Sequence, residues 1–186
     1  MTDTKEDRNP DERDVSNDDG KNSPYMGLRR MVLGLRRNDF EAYMREHNVH
    51  AVLIDTNMDG IVYSVACIVD GTISLYYETG GGVLGMGQKY PDLAMATRAF
   101  VYSTDRVLSK LGVADHTLLP EADERAFYLI TQDKIYKAVS RKSTISEESP
   151  EVQMLNYLSE KVMSLFLSLY NAKDVSDENI ADQRNV

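Results

Sequence analysis

Apolar residues along the middle of the chain are grouped in five short segments that predict strands, and the second of these segments, residues 61–69, is apolar on both faces and so predicted to be central. The third of these segments alternates Ile73, Leu75 and Tyr77 with residues that point to the opposite face. Asp70-Gly71 follows the second segment and favours a tight two-residue turn with positive φ. Strands joined by such short turns pair antiparallel. The predicted strands are residues 51–56, 61–69, 72–79, 126–132 and 135–139.

Three other segments have the 3.6-residue period of helices. The first begins at Tyr25, the second begins at Pro91 and ends at Gly112, and the third begins with Ser149 as N-cap and Pro150 behind it. Each carries an apolar stripe that can cover a sheet. The stripes are Leu28, Val32 and Leu35, then Leu93, Ala96, Phe100, Val107 and Leu111, then Val152, Leu155, Val162, Phe166 and Leu169.

The order of these elements predicts an α+β fold. Read along the chain it is α-β-β-β-α-β-β-α, which gives a five-stranded antiparallel sheet with helices packed on it. We expect residues 25–171 to form a single domain. The flanking segments, 1–24 and 172–186, are predicted to be disordered tails, because the first of them has no aromatic residue and a single aliphatic one, Val15.

Charge is concentrated in the two flanking segments. The formal net charge is -9, and residues 1–24 hold eight Asp/Glu against four Lys/Arg, while residues 172–186 hold four against two. The predicted domain is therefore only mildly acidic. Nucleic acid and anionic membrane surfaces both attract proteins through clustered basic residues. The sequence therefore predicts neither of them as a partner.

The hydrophobic segments predict a cytoplasmic protein. No uncharged apolar run approaches the roughly 20 residues that a membrane-spanning helix needs. The first residues, MTDTKEDRNPDERD, do not have the pattern of a secretory signal. The single cysteine, Cys67, lies in the apolar run VACIV, which predicts a buried core side chain.

A glycine-rich segment, TGGGVLGMGQK, lies between the third strand and the second helix. It matches the spelling G-x-G-x-x-G, but a dinucleotide site needs a parallel βαβ unit, and the predicted neighbours are antiparallel. Two interpretations remain: the glycines supply unusual backbone conformations, or they surround a small anionic ligand. A third is a protein contact through Val83, Leu84 and Met86. The candidate ligand-binding residues are Gly80, Gly81, Gly82, Gly85, Gly87 and Lys89.

Four arginines interleave with the stripe of the first helix. Arg29, Arg30, Arg36 and Arg37 could form an anion site, but a solvent-exposed face is the favoured interpretation. Asp55, like Asp59 and Asp70, is interpreted as a turn or strand-end carboxylate.

Candidate catalytic chemistry is sparse. His47 and His50 are separated by a predicted helix end, so their spacing does not bring them together with Asp55, and no metal site is predicted. We also predict no catalytic residue and no cofactor, and we favour a non-enzymatic protein.

The run VDGTISLYYETGGGVLGMGQ resembles the core of a bacterial family of uncharacterised proteins, in which such a strand precedes three glycines. The flanking runs HNVHAVLIDTNM, AFYLITQDKIYKAV and SPEVQMLNYLSEKVMSLF fit the same family. The resemblance covers about residues 38 to 170. It implies no activity and assigns no functional residue.

Two functions are compatible with these features. The leading hypothesis is a protein-interaction or self-associating module, because the element order and acidic pI are similar in outline to type III secretion chaperones and roadblock-type regulators, which bind proteins. The last helix supplies a second apolar set that could meet a partner or be buried on two sides. The alternative hypothesis is a small anionic-ligand sensor built on residues 80–89. The second apolar set is Met154, Leu158, Met163 and Leu165.

Overall fold

One antiparallel sheet organises the molecule. The computed structural model describes residues 23–182, with side chains as far as residue 172. Along the sheet the strands follow the order β4-β3-β2-β1-β6-β7-β5. The strands are β1 (Ala51–Met58), β2 (Ile61–Ile68), β3 (Ile73–Tyr77), β4 (Gly82–Val83), β5 (Gly112–Val113), β6 (Glu124–Ile130) and β7 (Ile135–Arg141), and the helices are α1 (Pro24–Leu33), α2 (Glu41–Met44), α3 (Pro91–Leu108) and α4 (Pro150–Asp182).

The predicted α+β class with an antiparallel sheet is confirmed, but the predicted number of five strands is wrong. The described residues form a seven-stranded sheet, whose edges are β4 and β5. β4 lies within the glycine-rich segment and pairs with Leu75 and Tyr76, and β5 follows α3 and pairs with β7. Each of these strands has only two residues, which is too short for an alternating pattern to be visible in the sequence.

Helices cover both faces of the sheet. Leu93 and Phe100 of α3 and Leu155 and Phe166 of α4 join one buried cluster with the strand residues of that face. Tyr25 and Val32 of α1 lie in a second cluster on the opposite face. The predicted apolar stripes of α3 and α4 thus pack on the same face of the sheet.

Local sequence explains where the helices begin. The Ser23 hydroxyl accepts a hydrogen bond from the Met26 backbone N–H at 3.2 Å, and Ser149 does the same for Val152 at 3.4 Å, so serine caps both α1 and α4. α4 extends to Asp182, past residue 171, where the sequence predicted the domain to end. Residues 1–22 and 183–186, and with them most of the predicted N-terminal tail, lie outside the described residues. Among residues 23–182, no helix is both long and apolar enough to cross a membrane.

Candidate functional site

The glycine-rich segment is shaped by close contact with its own sheet. Gly82 has φ +143 and pairs with Tyr76, and a Cβ at Gly82 would overlap the backbone oxygen of Leu75. A Cβ at Gly87 would likewise overlap the backbone oxygen of Gly71, in the turn between β2 and β3. Only glycine fits at these two positions, because the backbone itself is the obstacle.

Backbone donors of this segment are largely used within the protein. The Gly80 N–H donates to the Tyr77 carbonyl at 3.0 Å, and the Gly85 N–H donates to the Ser74 hydroxyl at 3.0 Å. The Lys89 N–H donates to a carbonyl of the segment, and its side chain is exposed. These hydrogen bonds occupy three of the donors that an anion cradle would use.

The tip of the segment exposes little apolar surface. Of the three residues considered for a protein contact, Leu84 is exposed, Val83 is half-buried and Met86 is buried in the core. The second apolar set on α4, residues 154, 158, 163 and 165, is partly buried against the core.

A buried polar cluster joins α1 to the sheet, and it corrects two expectations from the sequence. The Arg29 Nε donates to Asp55 Oδ2 at 2.7 Å, and their side chains are 3% and 0% exposed. Asp55 also accepts from the Ser64 hydroxyl at 2.5 Å, and Ser64 lies 2.8 Å from the Tyr25 hydroxyl. Arg29 is therefore not on a solvent-exposed face, and Asp55 is not a turn or strand-end carboxylate. We call Tyr25, Arg29, Asp55 and Ser64 the closed cluster.

Burial dominates the ionisation of this cluster. It raises the pKa of the Asp55 carboxyl above its ordinary value, while the Arg29 charge acts in the opposite direction. Burial and the negative charge of Asp55 together raise the pKa of Tyr25 to about 12. The Arg29 guanidinium also lies 5.4 Å from the centre of the Tyr128 ring. The buried bonds from Arg29 Nε to Asp55 and between the Tyr25 and Ser64 hydroxyls tie α1 to the sheet.

A second polar cluster lies on the other face, at the end of the sheet where β1 stops and β6 starts. Arg125 donates through Nε to the Thr56 hydroxyl at 3.3 Å and through Nη1 to Asn156 Oδ1 at 3.0 Å. Asn156 in turn donates to the Ser140 hydroxyl at 2.7 Å. The four residues come from β1, β6, β7 and α4. We call Thr56, Arg125, Ser140 and Asn156 the open cluster.

Two glutamates complete the surroundings of the open cluster. Glu148 accepts from the Ser140 hydroxyl at 2.9 Å and from the Arg141 backbone N–H at 2.5 Å. Glu160 lies 3.5 Å from Arg125 Nη1, and their side chains are 62% and 21% exposed. Arg125 is thus held on one side by buried groups and faces an accessible carboxylate on the other.

The open cluster lines a cavity of about 320 Å³. This volume lies at the lower end of the range typical of small-ligand sites. Met58 and Ile145 contribute apolar walls, while Asn156 and Ser140 form part of a polar lining. The charged residues of the lining are Asp59, Asp123, Glu124, Glu160, Arg125 and Lys142.

Exposed apolar side chains continue from the cavity along the same face. Met58 and Ile61 are cross-strand partners on β1 and β2, and both are exposed. Tyr63 and the exposed Tyr77 pair on β2 and β3, with ring centres 6.1 Å apart. We call the cavity together with Met58, Ile61 and Tyr77 the strand-end surface.

Strand register brings this site together, and the sequence reasoning missed it. Tyr77, Tyr63, Thr56, Arg125 and Ser140 are consecutive cross-strand partners in one row. The pairing of β1 with β6 joins residues almost 70 positions apart, such as Thr56 and Arg125. A signal existed in three of the strands, because a polar residue interrupts the apolar face near the end of β1, β6 and β7. The pairing that aligns these residues was not predictable from local patterns.

The histidines serve local structure. His47 Nδ1 lies 2.8 Å from Asp105 Oδ2, and Asp105 also accepts the backbone N–H of Val49 at 3.1 Å. The His50 side chain is buried and bonds the Leu35 carbonyl at 3.0 Å. Within the part of the chain that the structure describes, no three His, Cys, Asp or Glu residues are arranged to hold a metal ion. Cys67 is buried in the core, and burial raises its pKa to about 12.

Comparisons with known proteins add no assignment to this geometry. No protein-family model, curated protein or solved structure matches the chain. The resemblance of residues 38–170 to a family with a glycine-triplet core stays a prediction.

Proposed function

We propose that the protein is a non-enzymatic protein-interaction module that binds its partner at the strand-end surface. The observation that carries this proposal is the continuity of exposed apolar side chains with a concave polar cavity. Met58 and Ile61 lie side by side, and Met58 also lines the cavity. Binding surfaces commonly combine an apolar centre with a polar rim whose hydrogen bonds are already arranged.

Pre-organisation of the open cluster supports the same proposal. Ser140 and Asn156 are each 3% exposed and hydrogen-bonded to each other, so the base of the cavity is fixed before anything binds. A rigid site loses less conformational entropy on binding than a flexible one. The partner is either a second copy of the chain or a different protein. A cytoplasmic location is part of this proposal and remains a prediction.

Site-specific photo-crosslinking tests the location of the surface. A photoreactive amino acid at residue 61 should give a discrete adduct in the native host, since Ile61 is 50% exposed beside the cavity. The matched control is residue 95, because Met95 is also an exposed apolar side chain, 61% accessible, but lies on α3. An adduct of twice the chain mass identifies self-association. Absence of an adduct at residue 61, or an equal yield from residue 95, would contradict the proposal.

The anionic-ligand function of residues 80–89 stays a second, weaker proposal. It draws support from Gly80 and Gly81, where a Cβ would meet no atom within 4 Å, so the backbone is open to solvent there. A thermal-shift screen with nucleotides and sugar phosphates tests it, because a ligand at 100 times its Kd adds about 2.7 kcal/mol of stability. If Gly81→Ala lowers stability and no anion raises the melting temperature, this proposal fails.

A further inference from the structure

The charged residues of the strand-end surface indicate which kind of partner it would bind. The cavity is lined by four carboxylates, those of Asp59, Asp123, Glu124 and Glu160, and by two basic side chains. One basic side chain, Arg125, already donates to two neutral oxygens and faces Glu160. The lining therefore has four carboxylates against two basic side chains, of which Arg125 is engaged within the protein and Lys142 is exposed.

The four carboxylates differ in how far they are free to bind. Glu124 accepts a hydrogen bond from Arg141 Nη2 at 2.9 Å, and Asp123 accepts one from the Ser143 backbone N–H at 3.2 Å. Asp59 is an exposed residue of the β1–β2 turn, and the Glu160 side chain is 62% exposed. Asp59 is thus the lining carboxylate best placed to meet a cation from outside, and Glu160, although it lies 3.5 Å from Arg125 Nη1, keeps an accessible side chain beside it.

Building on the proposed function, we infer that the partner presents a basic, amphipathic peptide segment to the strand-end surface. A lysine or arginine of this segment meets Asp59 and Glu160 at the cavity, and its apolar neighbours pack on Met58 and Ile61. Complementary charge steers such a segment to the surface, and apolar contact holds it there.

Fluorescence anisotropy with the full-length protein tests this inference. The probe is a labelled peptide of alternating leucine and lysine, and the comparison probe has glutamate in place of every lysine. The double variant Asp59→Asn/Glu160→Gln should weaken binding of the basic peptide about tenfold, because two charge contacts are lost. The matched control, Glu46→Gln/Asp133→Asn, makes the same change in net charge at two exposed residues away from the cavity.

The outcomes separate the two proposals. Saturable binding of the basic peptide that falls with added salt and is weakened only by the cavity variant supports the inference. Tighter binding of the acidic peptide, equal losses in both double variants, or no binding of the basic peptide would overturn it. If residue 61 still gives a specific photo-adduct in that case, the interaction surface stands and only the partner chemistry is wrong.

Discussion

Two arginine clusters meet the same strand at neighbouring residues, yet they differ in access to water. Asp55 points to one face of β1 and pairs with Arg29, whereas Thr56 points to the other face and accepts from Arg125. The Arg29 and Asp55 side chains are 3% and 0% exposed, while the Arg125 side chain is 21% exposed and lines a cavity. The comparison separates a cluster that holds the fold together from one that is available for binding.

A covering helix accounts for the difference. α1 lies directly over the closed cluster and contributes Tyr25 and Arg29 to it. The open cluster is only flanked by α4, which supplies Asn156 and the exposed Glu160 and leaves the cavity accessible. Removing a charge should therefore damage stability at the closed cluster and binding at the open cluster.

The largest effect is expected from Arg29→Met. This variant leaves the Asp55 carboxylate buried without its cation, and breaking a buried ion pair typically costs about 3–5 kcal/mol. Urea unfolding measures the loss in the free energy of unfolding. Adding Asp55→Asn should restore part of it, because the unpaired charge is then removed. A loss of less than about 1 kcal/mol in the free energy of unfolding for Arg29→Met would show that the ion pair is not shielded from water.

Gly82→Ala should also act on stability alone. Its φ of +143 and its overlap with the Leu75 backbone predict a loss of about 2–4 kcal/mol. Gly81→Ala, where a Cβ meets open space, should cost about 1 kcal/mol from its positive φ. The same urea experiment measures both variants. Equal losses would mean that close packing does not explain the glycine-rich segment.

Alkaline pH should weaken the closed cluster through Tyr25. The pKa of Tyr25 is raised from 10.0 to about 12 by burial and by Asp55, so the folded state retains a proton that the unfolded state loses. This contribution is complete below pH 10 and disappears as pH rises to about 12, at a cost on the order of 2 kcal/mol. Unfolding free energies measured across this range should fall less steeply in Tyr25→Phe. An unchanged slope in that variant would count against the assignment.

A smaller stability effect is expected from Arg125→Met, in contrast to Arg29→Met. Its partners are neutral or exposed groups, so the loss should be about 1 kcal/mol. Its principal effect should be on the geometry of the cavity, seen as altered affinity for the basic peptide. If its unfolding free energy drops as far as that of Arg29→Met, the distinction between the clusters fails.

Local patterns in the sequence predicted the five long strands, because alternation and turn residues are encoded within each segment. They did not predict β4 and β5, whose pairing depends on the positions of β3 and β7. The closed cluster left a local signal, since Arg29 shares a helical stripe with Tyr25 and Val32, and Asp55 interrupts a buried strand. The charge of Arg29 nevertheless favours the interpretation of an exposed side chain, because charged residues seldom lie in a core.

The candidate site was less accessible to sequence reasoning than the fold. The glycine-rich segment has an unusual composition that is visible in the sequence, whereas Thr56, Arg125 and Asn156 are ordinary residues in three distant segments. Their proximity depends on the pairing of β1 with β6 and on the placement of α4. Such contacts are properties of the tertiary structure, with no local period to reveal them.

The most direct test of the central claim is an NMR titration of the isotope-labelled, full-length protein with the basic peptide. If the strand-end surface is the binding site, backbone amide shifts should concentrate in residues 56–61, 123–125 and 140–145. The chemical shifts of amides around Arg29 in the closed cluster and in residues 80–89 should not change. Shifts concentrated in residues 80–89, or scattered over both faces of the sheet, would contradict the account.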